Sequence, residues 1–166
     1  LFTPLDFGLV GFSFACGLGV KVAKPKKTVV SLMGDGGFGM TISELSTAVE
    51  YGFNTTTIVM NTNSWGAEKA YQKDFFGKRY LGADITSPSF DKVAELYGAK
   101  GFKVKKISEI CEAVRASIKS NKPSVIDVDV EPKGINKVKK KSFKKKSFGW
   151  RPPYFQTPAQ TKNIFC

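Results

Sequence analysis

The chain has 166 residues, 42% of them hydrophobic, and a formal charge of +12 at neutral pH. That is enough apolar material for one globular core and too much for a disordered chain. No apolar run approaches the roughly 20 residues that cross a bilayer, so no membrane partner is expected. Three scattered cysteines (Cys16, Cys111, Cys166) and no histidine exclude a disulfide framework, a Cys/His metal site and a histidine-based catalytic pair, and point to a reducing, cytoplasmic setting.

The chain opens at Leu1, already inside a glycine-rich apolar stretch, which suggests a fragment lacking its true N-terminus. Residues 8–23 place Gly, Ala, Phe and Val at helical spacing and predict a buried helix. Thr28 to Met33 is short, apolar and β-branched, as a buried parallel strand requires. Gly34-Asp35-Gly36-Gly37 reads as a turn. Thr41-Ile42-Ser43-Glu44 has a capping-box pattern, followed by a helix with Ile42, Leu45, Ala48 and Val49 on one face and Gly52 at its end. Thr55 to Met60 predicts a second strand, and Asn61 to Gly66 a polar loop at its end. Residues 67–88 show no clean period and read as a loop or short helices over a site. Asp91 to Tyr97 predicts a helix closed by Gly98, Phe102 to Val104 a strand, and Ser108 the cap of a helix with Ile110, Cys111, Val114 and Ile118 on one face. Ser124 to Val130 is a final strand.

This alternation defines an α/β fold, a doubly wound parallel sheet with helices on both faces. The first 132 residues make one domain. Residues 133–166 are a basic extension with eight lysines between Lys133 and Lys146 and a doubled Lys-Lys-Lys-Ser-Phe. Such a run is usually a solvated arm; its alternative use is binding nucleic acid, with Phe143 and Phe148 stacking on bases, a less favoured reading.

In doubly wound sheets ligands sit at the carboxyl ends of strands. Two polar loops meet that description. The first offers glycines, whose backbone N–H groups close on an anion, and one carboxylate, Asp35. An aspartate beside a diphosphate repels it unless a cation lies between them. Mg²⁺ prefers oxygen ligands and often bridges carboxylate and phosphate. The second loop supplies neutral oxygens from Asn61, Thr62, Asn63 and Ser64. The residues alone therefore point to a Mg²⁺–diphosphate site, with a plain strand-to-helix turn as the bland alternative.

Gly34-Asp35-Gly36, followed at the right distance by the Asn61 loop and Trp65-Gly66, resembles the bipartite motif of thiamine diphosphate enzymes. The run from Gly11 to Pro25 resembles the preceding helix in acetolactate-synthase-like members. Ser64-Trp65-Gly66-Ala67-Glu68-Lys69 with Gln72 and Asp74-Phe75 resembles the sulfoacetaldehyde acetyltransferase branch. The resemblance implies the C-terminal cofactor-binding domain of such an enzyme, with thiamine diphosphate and Mg²⁺ as cofactors. It assigns the metal to Asp35, to Thr62 where the family has a second asparagine, and to the backbone carbonyl of Ser64, with Asn63 as the alternative to Thr62. It places Val10, Gly34, Asp35, Gly36, Gly37, Asn61, Asn63, Trp65 and Gly66 around the cofactor, Val10 wedged beneath it. It assigns no catalytic side chain here, because the activating glutamate lies on a pyrimidine-binding domain of the same or a neighbouring chain. It further implies a homo-oligomer and a small anionic or 2-oxo substrate. Sulfoacetaldehyde with phosphate is the sharpest expectation, acetolactate synthesis or 2-oxo-acid decarboxylation the alternative. Lys69, Lys73, Lys78 and Arg79 are candidates to receive the anion.

Overall fold

A computed structural model of the chain describes residues 1–4 and 8–130. The basic extension expected from residue 133 lies outside the described residues. Among the described residues four strands, β1 (Val30–Gly34), β2 (Thr56–Asn61), β3 (Lys100–Val104) and β4 (Ser124–Asp129), form one sheet in the order β1-β2-β4-β3. All three pairings are parallel. The helices are α1 (Phe12–Ala23), α2 (Asp35–Thr41), α3 (Glu44–Glu50), α4 (Gly66–Phe75), α5 (Phe90–Leu96) and α6 (Ile110–Ser120).

The strand order dictates which helix covers which face. Travel from β1 to β2 to β3 runs one way across the sheet, and travel from β3 to β4 runs back. Right-handed crossovers then put the last helix opposite the others. The packing agrees. Phe14 and Leu18 of α1, Phe38 of α2, Leu45 and Ala48 of α3 and Phe90 and Ala94 of α5 gather on Val59 and Val125. Ala113 of α6, with Ile110 and Val114, packs on Ile126, Val128 and Val104 from the other side. At the centre of the first layer Phe38 meets Phe14 and Phe90 edge-on, ring centroids 5.3 and 5.2 Å apart; such pairs add to the burial of their large apolar area.

Several local expectations change. Gly34-Asp35-Gly36-Gly37 is not a free turn: α2 begins at Asp35 directly from the strand. The capping box at Thr41–Glu44 does not form. Thr41 already belongs to α2, α3 follows from Ser43 without a side-chain cap, and the Glu44 carboxylate accepts from Thr47 Oγ1 at 3.0 Å. Gly52 does end α3: its φ is +63°, and Phe53 N–H reaches back to Ala48 O at 2.9 Å, the six-to-one bond of a left-handed helix stop. On α6 the buried face is Ala113 and Ser117, flanked by Ile110 and Val114. Cys111 and Ile118 are exposed, so Cys111 is not a core residue, and Cys16 is only half-buried. Ser117 replaces an apolar contact with a 2.6 Å bond to Thr56 in β2. Ser108 falls in a 3₁₀ turn (Ile107–Glu109), where the Glu109 carboxylate accepts from the N–H groups of Lys105 and Lys106.

Close approach fixes two glycines. A Cβ on Gly101 in β3 would lie 2.0 Å from the backbone oxygen of Asp91, so α5 rests directly on that strand. A Cβ on Gly17 in α1 would lie 2.3 Å from Ser31 Oγ, which donates to Ser13 O at 2.8 Å. Among the described residues no helix is long and apolar enough to cross a membrane.

Asp127 is fully buried in β4 and is satisfied from three sides. It accepts from Phe90 N–H at 3.0 Å, Asn61 Nδ2 at 3.2 Å and Lys103 Nζ at 2.9 Å; Lys103 also pairs with Asp129 at 2.5 Å. Partial burial pulls the Lys103 ammonium down, but hydrogen bonds to Asp129 and Asp127 outweigh it and hold the group above the ordinary lysine value. A base raised by folding stabilises the fold below its unfolded pKa, about 10.4 for lysine, and loses that contribution as pH climbs through the higher folded value. Urea midpoints compared between wild type and Lys103→Met should therefore differ most below about pH 10 and converge in stronger alkali. A constant difference would show that the Lys103 stem, not its charge, matters.

Candidate functional site

The chain brings its two polar loops together where β1 and β2 end. Register pairs Gly34 with Met60, so the residues just past each, Asp35 and Asn61–Ser64, emerge side by side. Asp35 takes the first position of α2 and is 2% exposed. Its Oδ1 lies 3.4 Å from the hydroxyl of Thr62 and its Oδ2 accepts from Ser87 Oγ at 2.8 Å. Thr62 Oγ1 is also 3.1 Å from Ser64 O and 3.0 Å from Ser64 Oγ. One carboxylate oxygen, one hydroxyl and one backbone carbonyl thus cluster around Thr62 Oγ1.

That spacing decides whether a cation fits. Mg²⁺ with oxygen ligands at 2.0–2.1 Å in an octahedron needs adjacent ligands about 3 Å apart. The separations of 3.1 and 3.4 Å from Thr62 Oγ1 fall near that edge. Among the described residues no three His, Cys, Asp or Glu side chains converge on a metal position. A hard cation sharing its shell with a phosphate group suits this donor set; a soft metal does not.

The cleft above these oxygens has a volume of about 770 Å³. Its wall includes Val10, Gly34, Asp35, Gly36, Gly37, Trp65 and Gly66, seven of the nine residues expected at a cofactor, together with Ser64, expected at the metal. The N–H groups of Gly36 and Gly37 lie in the first turn of α2, where no intrahelical acceptor is available. Space beside Gly34 is open. Gly36 is required by packing: a Cβ there would meet the Trp65 indole at 2.6–2.9 Å. Val10 sits in the turn before α1, its methyl 3.7 Å from a Cβ built on Gly37.

Asn61 and Asn63, also expected at the cofactor, point elsewhere. Asn61 is 6% exposed; it donates to Asp127 and accepts from Asn63 N–H at 3.3 Å. Asn63 adopts φ +51° and its Oδ1 accepts from Ser87 N–H at 3.2 Å, so Thr62, not Asn63, faces Asp35. Lys69, expected to receive an anion, is ion-paired with Asp84 and lies 5.7 Å from the Tyr80 ring centroid. No motif in the sequence singles out Ser87. Its one signal is its place in the aperiodic segment 67–88, which predicts a cover over a site.

A buried carboxylate, a hydroxyl and a carbonyl lie together at the strand ends, beside helix-start amides and an open cleft, an arrangement chemically suited to a diphosphate. The comparison with known proteins agrees: the family described as thiamine pyrophosphate enzyme, C-terminal TPP binding domain, matches residues 1–128, and the chain belongs to it. It is 34% identical over 131 residues to sulfoacetaldehyde acetyltransferase of Castellaniella defragrans, covering 76% of this chain and 22% of that protein. It is 35% identical over 137 residues to a probable acetolactate synthase large subunit of Methanococcus aeolicus, covering 78% and 23%. The thiamine diphosphate-dependent 4-hydroxybenzoylformate decarboxylase of Rhodococcus jostii RHA1 superposes with a TM-score of 0.69 at 26% identity, covering 74% of this chain and 23% of that one. The chain therefore spans about a fifth of the length of the curated relatives it matches.

Proposed function

We propose that this domain grips the diphosphate of thiamine diphosphate through a Mg²⁺ ion held by Asp35, Thr62 and the carbonyl of Ser64. The observation that carries the reading is the placing of Asp35 Oδ1 and Ser64 O at 3.4 and 3.1 Å from Thr62 Oγ1, Asp35 being a buried, single carboxylate. Gly36 and Gly37 offer amides to the phosphate oxygens, and Val10 and Trp65 supply apolar walls to the cleft. When bound, thiamine diphosphate supplies a thiazolium carbon that adds to carbonyl groups. This chain's own residues orient it and screen its charge. As membership of the family implies, the activating glutamate is assigned to a pyrimidine-binding domain of the same or a neighbouring chain, in a homo-oligomer.

For the whole protein we favour sulfoacetaldehyde plus phosphate giving acetyl phosphate and sulfite. The reading is supported by the 34% identity and by the segment Ser64–Lys69. Trp65, Ala67 and Glu68 of that segment line the cleft, and Lys69 secures the loop above it. A second reading, acetolactate synthesis, is supported by the 35% match to the archaeal subunit.

The test is calorimetric titration of thiamine diphosphate, with and without Mg²⁺, into the chain assembled with its pyrimidine-binding domain. Binding that requires Mg²⁺ is expected. Equal binding in a metal chelator would remove the metal from the reading. Product analysis then separates the substrates: sulfite and acetyl phosphate support the first, acetolactate from pyruvate the second.

A further inference from the structure

The segment that crosses the site after α4 is fastened at both ends. Gln72 of α4 brackets Leu81, donating to its carbonyl at 2.9 Å and accepting from its N–H at 2.8 Å. Lys69 of α4 holds Asp84. Residues 83–87 then run antiparallel to Asn63–Trp65: Trp65 N–H bonds Ala83 O at 2.8 Å, Ser64 bridges Asp84, and Ile85 N–H bonds Asn63 O at 3.0 Å. The last contacts are the informative ones. Asn63 Oδ1 fixes the backbone of Ser87, and the Ser87 hydroxyl donates to Asp35 Oδ2 at 2.8 Å.

A carboxylate on a single-bonded arm can rotate, and either oxygen can face a metal. Here the two oxygens are distinguished. Oδ2 is taken by Ser87, and Oδ1 is left toward Thr62. A hydrogen bond from an uncharged donor does this without neutralising the anion, so the charge needed by a cation is kept.

We propose that Ser87 is a positioning residue for the metal site, held by Asn63 and delivered by the strap of residues 80–87 that Lys69 and Gln72 anchor to α4. The inference rests on the reading of Asp35 as a Mg²⁺ ligand. It also gives Asn63 a role: it supports Ser87 and stands off from both metal and cofactor.

The test measures Mn²⁺ binding by electron paramagnetic resonance, as a stand-in for Mg²⁺, in the assembled protein with saturating thiamine diphosphate. Wild type is compared with Ser87→Ala, Ser87→Thr and Asp35→Ala, and each is melted in metal-free buffer. Loss of a hydrogen bond to a ligating carboxylate typically weakens metal binding about 10- to 100-fold. Ser87→Ala should show that loss, with Ser87→Thr restoring most of it and the metal-free melting temperature of both unchanged. Wild-type Mn²⁺ affinity in Ser87→Ala, with binding abolished in Asp35→Ala, would overturn the positioning role and leave the metal site standing. Undiminished binding in Asp35→Ala would overturn the metal site and the proposal with it. A large fall in the metal-free melting temperature of Ser87→Ala would show that the hydroxyl holds the loop fold, which also overturns it.

Discussion

Replacing Asp35 with alanine should abolish Mg²⁺-dependent binding of thiamine diphosphate, weakening it by about 100-fold or more. The magnitude follows from the inventory of the site. Thr62 and Ser64 bring neutral oxygens, so Asp35 is the one anionic group in the proposed shell. Groups that merely support a metal ligand are typically worth about 10- to 100-fold in affinity; removal of the charged ligand itself should exceed that. The fold should not suffer equally. A carboxylate that is 2% exposed is desolvated without a cationic side chain among its hydrogen-bond partners, which are two hydroxyls, and its removal relieves that burden. Titration calorimetry and metal-free thermal melting together check the claim. Binding lost with melting unchanged or raised is expected, whereas retained Mg²⁺ dependence would mean that the metal is held elsewhere.

Gly101→Ala should destabilise the domain by roughly 3 kcal/mol or more, at the upper end of what overpacking costs. The new methyl would lie 2.0 Å from the backbone oxygen of Asp91 and 2.6 Å from its carbonyl carbon. Backbone cannot swing aside as a side chain can, so α5 must lift from β3. That movement would strain the packing of Phe90 and Ala94, both buried in the central cluster, and the bond from Phe90 N–H to Asp127. Gly39→Ala is the control. Gly39 is an exposed position in α2 with nothing within 4 Å of a Cβ, and alanine there should gain about 0.5–1 kcal/mol from helix propensity. Urea midpoints moving in opposite directions would support both statements. A neutral Gly101→Ala would mean that α5 is loosely seated.

The sequence made the strands and most helices legible because their signals are local. β-branched runs at Thr28–Met33 and Thr55–Met60 and the glycine stop at residue 52 carry their geometry with them. Asp35 and the Thr62 loop could be paired from the order of strands alone, since a parallel crossover puts successive strand ends on the same edge. What was misjudged depended on packing. Three glycines around Asp35 suggest a turn by composition, yet α2 starts there because Phe38 must reach the core. Helical spacing draws the apolar face of α6 through Ile110, Cys111, Val114 and Ile118; Ile110 and Val114 do pack on the sheet, but its centre accepts the smaller Ala113 and Ser117, and Ser117 finds a hydroxyl partner 61 residues away. Ser87 lies 52 residues from Asp35 in a segment without period, so no local pattern could assign it. The resemblance puts Asn63 at the cofactor or, in place of Thr62, at the metal; in the fold its Oδ1 accepts from Ser87 N–H, a partner 24 residues away that no local pattern announces.

The strand order has a consequence for how the domain is made. Among the described strands β4 is last in sequence but second from the edge, flanked by β2 and β3. On a growing chain β1 and β2 can pair as soon as both have emerged, bringing Asp35 beside Thr62. β3 must wait without a neighbour until residues 124–129 arrive to fill the gap. Until then α5 and Asp127's three partners lack their common anchor. Long-range parallel pairing of this kind is slow and leaves strand edges open. The nascent domain is most exposed to mispairing with other chains in the interval between synthesis of β3 and insertion of β4.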